Sequence, residues 1–149
     1  MNLRLAAAFL LLLPAMAPAQ DYPAKPVKIV VPYSAGGNAD ILGRTLAQKL
    51  GDALKQPFVV ENRAGANGGI GTDFVAKAAP DGYTLLVTAS GPLTVNPTLY
   101  RNVPYDPVRD FAPISECAVY QYVLVTLSSS PFRSIADIVA AARAKPGAL

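Results

Sequence analysis

The sequence predicts an α/β fold in which helices cover both faces of a parallel sheet. Apolar runs rich in Val, Ile and Leu alternate with helical patterns through residues 27–88, and turn-forming glycines and prolines separate them. The predicted order is strand, helix, strand, helix, strand. Strands joined through helices pair in parallel, and their right-handed connections place the helices on the sheet faces.

Five elements are predicted in this part of the chain. The longest helix has an apolar stripe at helical spacing, formed by Ile41, Leu42, Leu46, Leu50 and Leu54. A strong turn signal, Pro80-Asp81-Gly82, precedes the last strand. The predicted strands are residues 27–32, 58–61 and 83–88, and the predicted helices are residues 39–54 and 70–78.

The pattern becomes less regular after residue 90. Residues 91–110 contain four prolines, which indicates a connecting segment with room for a short helical turn. Two further strands are predicted, at residues 111–117 and 120–127. A helix then begins at Ser134, where Asp137 completes a capping-box pattern, and ends near Ala144. A strand pair with one helix is too small for an independent domain, so this part is interpreted as the beginning of a second lobe.

The first residues have the pattern of an export signal. Arg4 precedes the apolar run 5–13, which is too short to span a bilayer, and Ala17-Pro18-Ala19 predicts cleavage before Gln20. The alternative is a buried N-terminal helix. We expect an exported, periplasmic protein, with a signal peptide at 1–19, a first lobe at 20–95, and a crossover with the beginning of a second lobe at 96–149.

Composition excludes several classes of function. Removal of Arg4 with the signal lowers the net charge from +3 to +2, and the basic residues are scattered, so nucleic-acid binding is not expected. The chain has no histidine, which excludes Ser-His-Asp and Cys-His nucleophiles and histidine-based zinc sites. Cys117 is the single cysteine and lies in an apolar stretch, so we expect it to be buried.

The connection between the first strand and the first helix is the most informative segment. Gly36 and Gly37 follow an apolar strand directly and allow a sharp turn with close approach to a ligand. The helix that follows offers unpaired N–H groups and a positive dipole end, both of which favour an anion. Ligands of parallel sheets lie beyond the carboxyl ends of the strands, where we expect the loops 33–38, 62–68 and 89–96 to converge.

A series of short motifs follows one another through residues 20–149. They are Tyr22-Pro23, Val31-Pro32-Tyr33, Gly36-Gly37, Val60-Glu61-Asn62-Arg63, Gly65-Ala66-Asn67-Gly68-Gly69-Ile70-Gly71, Ala79-Pro80-Asp81-Gly82-Tyr83, Asn96-Pro97, Tyr105-Asp106, Asp110-Phe111 and Pro146-Gly147. In this order, they resemble the N-terminal half of the substrate-binding proteins of tripartite tricarboxylate transporters, also called Bug receptors.

The resemblance implies a type II periplasmic binding protein whose two lobes close on a ligand about a hinge. Such a receptor captures a small carboxylated solute and delivers it to the membrane permease of a tripartite transporter, without catalytic residues, metal or cofactor. We expect no membrane insertion after signal cleavage, and a monomer for a complete chain. Members of the family are about twice as long as this sequence, so the resemblance covers a truncated form of the fold.

The resemblance also implies a set of ligand-binding residues. In the family, backbone N–H groups and ordered water hold the ligand carboxylate at the first Gly-Gly loop. The matching positions are Tyr33, Ala35, Gly36, Gly37, Asn38 and Asp40 in the first loop, Ala66, Asn67 and Gly68 in the second, and Ser90, Gly91 and Thr94 in the third.

Each of these positions has a structural alternative. The glycines could serve only tight turns, and Tyr33 could be a core aromatic residue with its hydroxyl at the rim. Asp40 would repel an anion, so it is expected to cap backbone N–H groups, to order a water, or to bind the amino group of an amino-acid ligand. Arg44 and Arg63 are possible charge partners; on its exposed helix face Arg44 is expected to be solvated.

Two other interpretations of the whole chain remain open. A nucleotide-binding enzyme domain is the less favoured one, because the glycines at residues 65–71 do not have G-x-G-x-x-G spacing and no P-loop motif is present. A truncated fragment that cannot bind ligand is the other, because a cleft needs two walls and these residues supply only part of the second.

Overall fold

A computed structural model describes residues 21–148 of the chain. The predicted signal peptide and its cleavage site lie outside the described residues. The chain divides into two compact units, with the boundary between Ala112 and Pro113.

The first unit contains the parallel sheet that the sequence predicted. Strands β1 (Val27–Val31), β2 (Phe58–Asn62) and β3 (Thr84–Leu86) are arranged in the order β2-β1-β3, and β1 pairs in parallel with both neighbours. Ile29 lies opposite Val60 on one side and Leu85 on the other. Helix α1 (Asn38–Leu54) connects β1 to β2, and helix α2 (Gly69–Ala76) connects β2 to β3.

The two helices lie on opposite faces of the sheet. A β-carbon at Gly43 of α1 would be 2.8 Å from Val31 Cγ2, so α1 packs closely on the face that also carries Ile29. Phe74 of α2 contacts Lys28, whose side chain alternates with that of Ile29 and therefore points to the other face. Coverage of both faces explains why the strand Val-Lys-Ile-Val-Val of β1 is almost entirely apolar.

The connecting segment after β3 packs onto the first unit. It forms a π-helical turn (Gly91–Val95) and a short helix α3 (Asn96–Leu99), which agrees with the predicted helical turn. Asn96 and Tyr105 are buried, at 2% and 6% exposure. Their side chains bond to residues 67 and 92, which holds the connecting segment against the rest of the first unit.

The second unit contains the helix α4 (Ile135–Ala144) that the sequence predicted. Its capping box is present: the Asp137 N–H donates to Ser134 Oγ at 3.2 Å, and the Ser134 N–H donates to Asp137 Oδ2 at 2.9 Å. These two bonds satisfy orphan donors at the helix start and fix the residue at which α4 begins.

The prediction of strands at residues 111–117 and 120–127 was wrong. Residues 111–127 have no regular secondary structure, and Val123 is 82% exposed. A strand needs a hydrogen-bonded neighbour, and among the described residues no segment pairs with this one. The expected burial of Cys117 was also wrong: its side chain is exposed with the rest of the segment.

Membrane-spanning potential is absent from the part of the chain that the structure describes. No helix within residues 21–148 combines the length and the apolar character needed to cross a bilayer.

Candidate functional site

Three loops meet beyond the carboxyl ends of the parallel strands, as the sequence predicted. A β-carbon at Gly68 in the second loop would lie 2.7 Å from Pro92 Cγ in the third loop and 3.5 Å from Pro32 Cβ at the end of β1. A β-carbon at Gly91 would lie 3.3 Å from Asn67 Nδ2. We call this edge of the first unit, formed by residues 33–38, 62–68 and 89–96, the three-loop edge.

The second loop depends on left-handed backbone conformations. Gly65, Ala66, Asn67 and Gly68 all have positive φ, with values of 131°, 48°, 49° and 80°. Glycine adopts such angles freely, and asparagine tolerates them, whereas alanine does so at a cost of about 1–2 kcal/mol. The run turns the chain from β2 into α2 within a few residues, and it brings Gly68 against Pro92 of the third loop and Pro32 at the end of β1.

Asp40 anchors the first loop. It lies in the first turn of α1 and is 3% exposed. Its Oδ2 accepts a hydrogen bond from the Gly36 N–H at 2.8 Å and from Arg44 Nε at 3.0 Å, and its Oδ1 accepts from Asn62 Nδ2 at 2.9 Å. The carboxylate therefore holds the Gly-Gly turn in place, which is the capping role that the sequence suggested for it.

Arg44 and Asn62 complete this anchor. Arg44 Nη2 donates to Asn62 Oδ1 at 3.1 Å, and Asn62 Nδ2 also donates to the Tyr33 carbonyl at 3.1 Å. Arg44 is thus a charge partner, the first of the two roles considered for it, although 55% of its side chain is exposed: its guanidinium spans from Asp40 to Asn62 at the end of β2. Hydrogen bonds from Arg44, Gly36 and Asn62 lower the pKa of Asp40 to about 2, against an ordinary value of 3.8.

The start of α1 remains open toward solvent. Gly37 is the N-cap and gives no side-chain hydrogen bond to the first-turn N–H groups. Ala35, Gly36, Gly37 and Asn38 are all exposed. The Gly36 N–H already donates to Asp40 and is not available to an anion. An anion would therefore meet the other backbone N–H groups at the start of α1.

A polar network around the buried Asn96 ties the second loop to the third. Asn67 Nδ2 donates to Asn96 Oδ1 at 2.9 Å, and Asn96 Nδ2 donates to the Asn67 carbonyl at 3.2 Å. Tyr105 donates its hydroxyl hydrogen to the Pro92 carbonyl at 2.7 Å and lies 3.5 Å from Asn96 Nδ2. Asn96 and Tyr105 are buried, and buried polar groups are costly unless paired, so the network fixes how the two loops dock.

The other predicted positions have mixed surroundings. Tyr33 packs against the core formed by Ile29 and Val31. This is the role of a core aromatic residue that the sequence offered as the alternative to ligand binding. Thr94 Oγ1 donates to the Ser90 carbonyl at 2.8 Å at the π-helical turn, and both of these residues are exposed. Gly91 adjoins Asn67, as described above.

Arg63 forms its contacts on the sheet face that α2 covers. It forms an ion pair with Glu61, and its guanidinium carbon lies 3.6 Å from the centre of the Phe74 ring. Lys28 Nζ contacts the second Glu61 oxygen at 2.7 Å, and the hydrogen bonds from Lys28 and Arg63 lower the pKa of Glu61. Arg63 therefore supports the packing of α2.

Sequence reasoning missed the roles of Asn62, Asn96 and Tyr105. All three stand in the motifs quoted above, yet a motif does not reveal a contact between residues 22 or 29 positions apart. A weak signal was present in the sequence. Asn62 stands at the end of a strand, and Asn96 and Tyr105 stand beside prolines, positions at which polar side chains often bond to the backbone of a loop.

The Asp40 anchor predicts a specific pH dependence. Because folding lowers the Asp40 pKa from 3.8 to about 2, its contribution to stability is complete above pH 4 and is lost as the pH falls through about 2. We expect Asp40→Asn to destabilise the chain at neutral pH, and the difference from wild type to shrink as the pH falls from 4 to 2. Urea denaturation followed by circular dichroism measures both.

Asp52→Asn, which removes an exposed carboxylate from the same helix, controls for net charge. If the difference in the free energy of unfolding between wild type and Asp40→Asn stays constant down to pH 2, the proposed stabilising role of the Asp40 carboxylate is wrong.

Comparison with known proteins identifies the family. Residues 42–149 match the tripartite tricarboxylate transporter family receptor model, TctC. Protein BugT of Bordetella pertussis is 45% identical over 130 residues, a match that covers 87% of this chain and 40% of BugT. The chain thus spans about two fifths of the length of this curated relative.

Solved structures agree with this match. An R. palustris protein solved with adipate is 34% identical to this chain, with a TM-score of 0.71. The match covers 87% of this chain and 43% of the R. palustris protein. The periplasmic binding protein BugD is 46% identical, with a TM-score of 0.60, and the match covers 62% of this chain and 31% of BugD. MatC from Rhodopseudomonas palustris, solved with bound malate, is 37% identical, with a TM-score of 0.59. The match covers 62% of this chain and 31% of MatC. The fold is therefore periplasmic binding protein-like, and the chain belongs to the tripartite tricarboxylate transporter receptor family.

Proposed function

We propose that this chain is part of an exported, periplasmic receptor that captures a small carboxylated solute for the permease of a tripartite tricarboxylate transporter. The observation that carries the proposal is the convergence of three glycine-containing loops beyond the carboxyl ends of the strands, beside the exposed start of α1. Two relatives of similar fold support it, since one was solved with adipate and another with bound malate. The proposed role is binding and delivery, without catalysis or cofactor.

The charge balance of the three-loop edge favours an anion. The Asp40 carboxylate would repel a ligand carboxylate if it stood alone, but Arg44 and Asn62 contact it directly. The anchor thus places Gly36 and Gly37 without leaving an uncompensated negative charge beside them. Helix-start N–H groups attract a carboxylate by hydrogen bonding and by the helix dipole, a combination common to anion sites.

Each loop has a proposed part in holding the ligand. The first loop would supply donors around Gly37 and Asn38, and the Tyr33 ring would form a wall. The second loop would supply the exposed Asn67 and the backbone of Ala66 and Gly68. In the third loop the Thr94 hydroxyl hydrogen is engaged with Ser90, which leaves the Ser90 hydroxyl and the Gly91 backbone as proposed contacts.

A thermal melt with a panel of acids tests the proposal. The chain purified from the periplasm is heated with malate, adipate or a tricarboxylate, and adipamide serves as the uncharged match of adipate. A ligand at 100 times its Kd stabilises the native state by about 2.7 kcal/mol, which raises the melting temperature by several degrees. We expect at least one acid to give this shift, no shift with adipamide, and a smaller shift with Asp40→Asn.

A cooperative transition that none of the acids moves would contradict carboxylate capture by this chain. That result would favour the alternative in which these residues are a ligand-incompetent part of a receptor.

A further inference from the structure

The second loop contains the single Asn-Gly pair of this sequence, Asn67-Gly68. An asparagine side chain is chemically labile when glycine follows it, because glycine has no side chain to keep its nitrogen away from the side-chain carbonyl carbon of the asparagine. Among the described residues, the Gly68 N–H donates no hydrogen bond to another backbone group, so its nitrogen is not held elsewhere. Asn67-Gly68 is therefore the reactive pair of the three-loop edge.

Loop geometry requires both residues of the pair. Gly68 has a φ of 80°, and a β-carbon there would be 2.7 Å from Pro92 Cγ, so a side chain would be both strained and crowded. Asn67 has a φ of 49°, a left-handed angle that asparagine adopts more readily than most residues. The labile pair is thus a consequence of the way in which the second loop docks on the third.

Asn96 holds the reactive side chain in place. Asn67 Nδ2 donates to Asn96 Oδ1 at 2.9 Å, and the Asn67 carbonyl accepts from Asn96 Nδ2 at 3.2 Å. One buried partner therefore restrains both the side chain and the backbone of Asn67. Closure of a ring between Asn67 and Gly68 needs freedom of that side chain and that backbone, so it must await local opening of the contact with Asn96.

We propose that Asn67 is a site of spontaneous deamidation, and that opening of its contact with Asn96 controls the rate. The Gly68 nitrogen attacks Asn67 Cγ and forms a five-membered succinimide ring, while the Cγ–Nδ2 bond breaks. The proton of the Gly68 N–H leaves with Nδ2 as ammonia. Water then opens the ring at either carbonyl and gives aspartate or isoaspartate. The net change converts an amide and water into a carboxylate and ammonium.

Deamidation disturbs the docking of the second loop. A carboxylate at residue 67 has no hydrogen to donate, so Asn96 Oδ1 loses its donor and faces a negatively charged oxygen instead. The new charge also lies at the three-loop edge, where it repels a ligand carboxylate; this second consequence rests on the proposed function. A deamidated chain is therefore expected to be less stable and to capture less ligand.

Mass spectrometry of tryptic peptides measures the reaction after the folded chain is incubated at mildly alkaline pH. Peptides 64–77 and 102–109 contain Asn67 and Asn102, each as the only amide side chain of its peptide. In wild type, Asn67 should convert faster than Asn102, which valine follows. Asn96→Ala should accelerate conversion at Asn67 about tenfold or more, and leave Asn102 unchanged.

Asp40→Asn separates loop docking from a general loss of stability. It weakens the anchor of the first loop without touching the contact between Asn67 and Asn96, so Asn67 should convert at the wild-type rate. Circular dichroism checks that each variant is folded. Equal acceleration in Asp40→Asn and Asn96→Ala, or no acceleration in Asn96→Ala, would overturn control by the Asn96 contact. Conversion of Asn67 in wild type no faster than that of Asn102 would overturn the site itself.

Asn67→Asp reproduces a product of the reaction and tests its consequence. We expect it to unfold at a lower urea concentration than wild type and to show a smaller thermal shift with the acid that stabilises wild type most. A urea midpoint equal to that of wild type would overturn the effect on loop docking. The conversion rates and the urea midpoint require no ligand, so they decide the inference even if no carboxylate binds.

Discussion

Gly71→Ala is expected to destabilise the first unit by about 3 kcal/mol, at the upper end of the usual cost of overpacking a core. A β-carbon at residue 71 would lie 2.7 Å from the Arg63 carbonyl oxygen and 2.9 Å from Pro32 Cα. These are backbone atoms at the ends of β2 and β1, so they cannot rotate aside as a side chain would. Helix α2 must move away from the sheet, and the second loop must move with it.

Urea denaturation followed by circular dichroism measures this effect. Gly69→Ala is the matched control, because it lies in the same helix and its β-carbon would meet only ordinary contacts, at 3.6 Å from Ala66 Cβ and 3.8 Å from Asn96 Nδ2. We expect the control to remain within about 0.5 kcal/mol of wild type. If Gly71→Ala unfolds at the same urea concentration as Gly69→Ala, the close approach of α2 to β1 is wrong.

Asn96→Ala is expected to have the second largest effect, a loss of about 2 kcal/mol in the free energy of unfolding. Asn96 is 2% exposed, and its removal leaves Asn67 Nδ2 without its acceptor and the Asn67 carbonyl without a donor. Asn67 is exposed, so water can partly replace its lost partners, and the cost is mainly that of the lost hydrogen bonds, at about 1 kcal/mol each. Because the network docks the second loop on the third, the variant should also lose most of its response to carboxylates.

Two measurements check this prediction: the urea midpoint, and the thermal shift with the acid that stabilises wild type most. Asn102→Ala serves as the control, since Asn102 is exposed and forms no hydrogen bond among the described residues. Equal carboxylate shifts in Asn96→Ala and wild type would show that loop docking does not matter for capture.

The elements of the first unit could be predicted because their signals are local. The apolar run of β1 and the leucine spacing of α1 lie within single elements, and the order of elements then fixes a parallel sheet. The Ser134 capping box is likewise contained in four consecutive residues. Such patterns need no knowledge of which distant residues meet.

The anchors of the site could not be predicted, because they join distant residues. Asp40 meets Asn62 across 22 positions, and Asn67 meets Asn96 across 29. The left-handed conformation of Ala66 was also hidden, since alanine seldom adopts it. Residues 111–127 illustrate the opposite failure: their composition suits a strand, but a strand exists only where a neighbour pairs with it.

The most direct test of carboxylate capture is an amide NMR titration with malate and adipate. We expect the amide signals of Gly37, Asn38 and Asn67, at the three-loop edge, to move progressively to saturation with one of these acids. Gly51, near the end of α1, and Gly82, before β3, should stay in place. Signals at the three-loop edge that do not move at saturating acid, or movement confined to other parts of the chain, would contradict it.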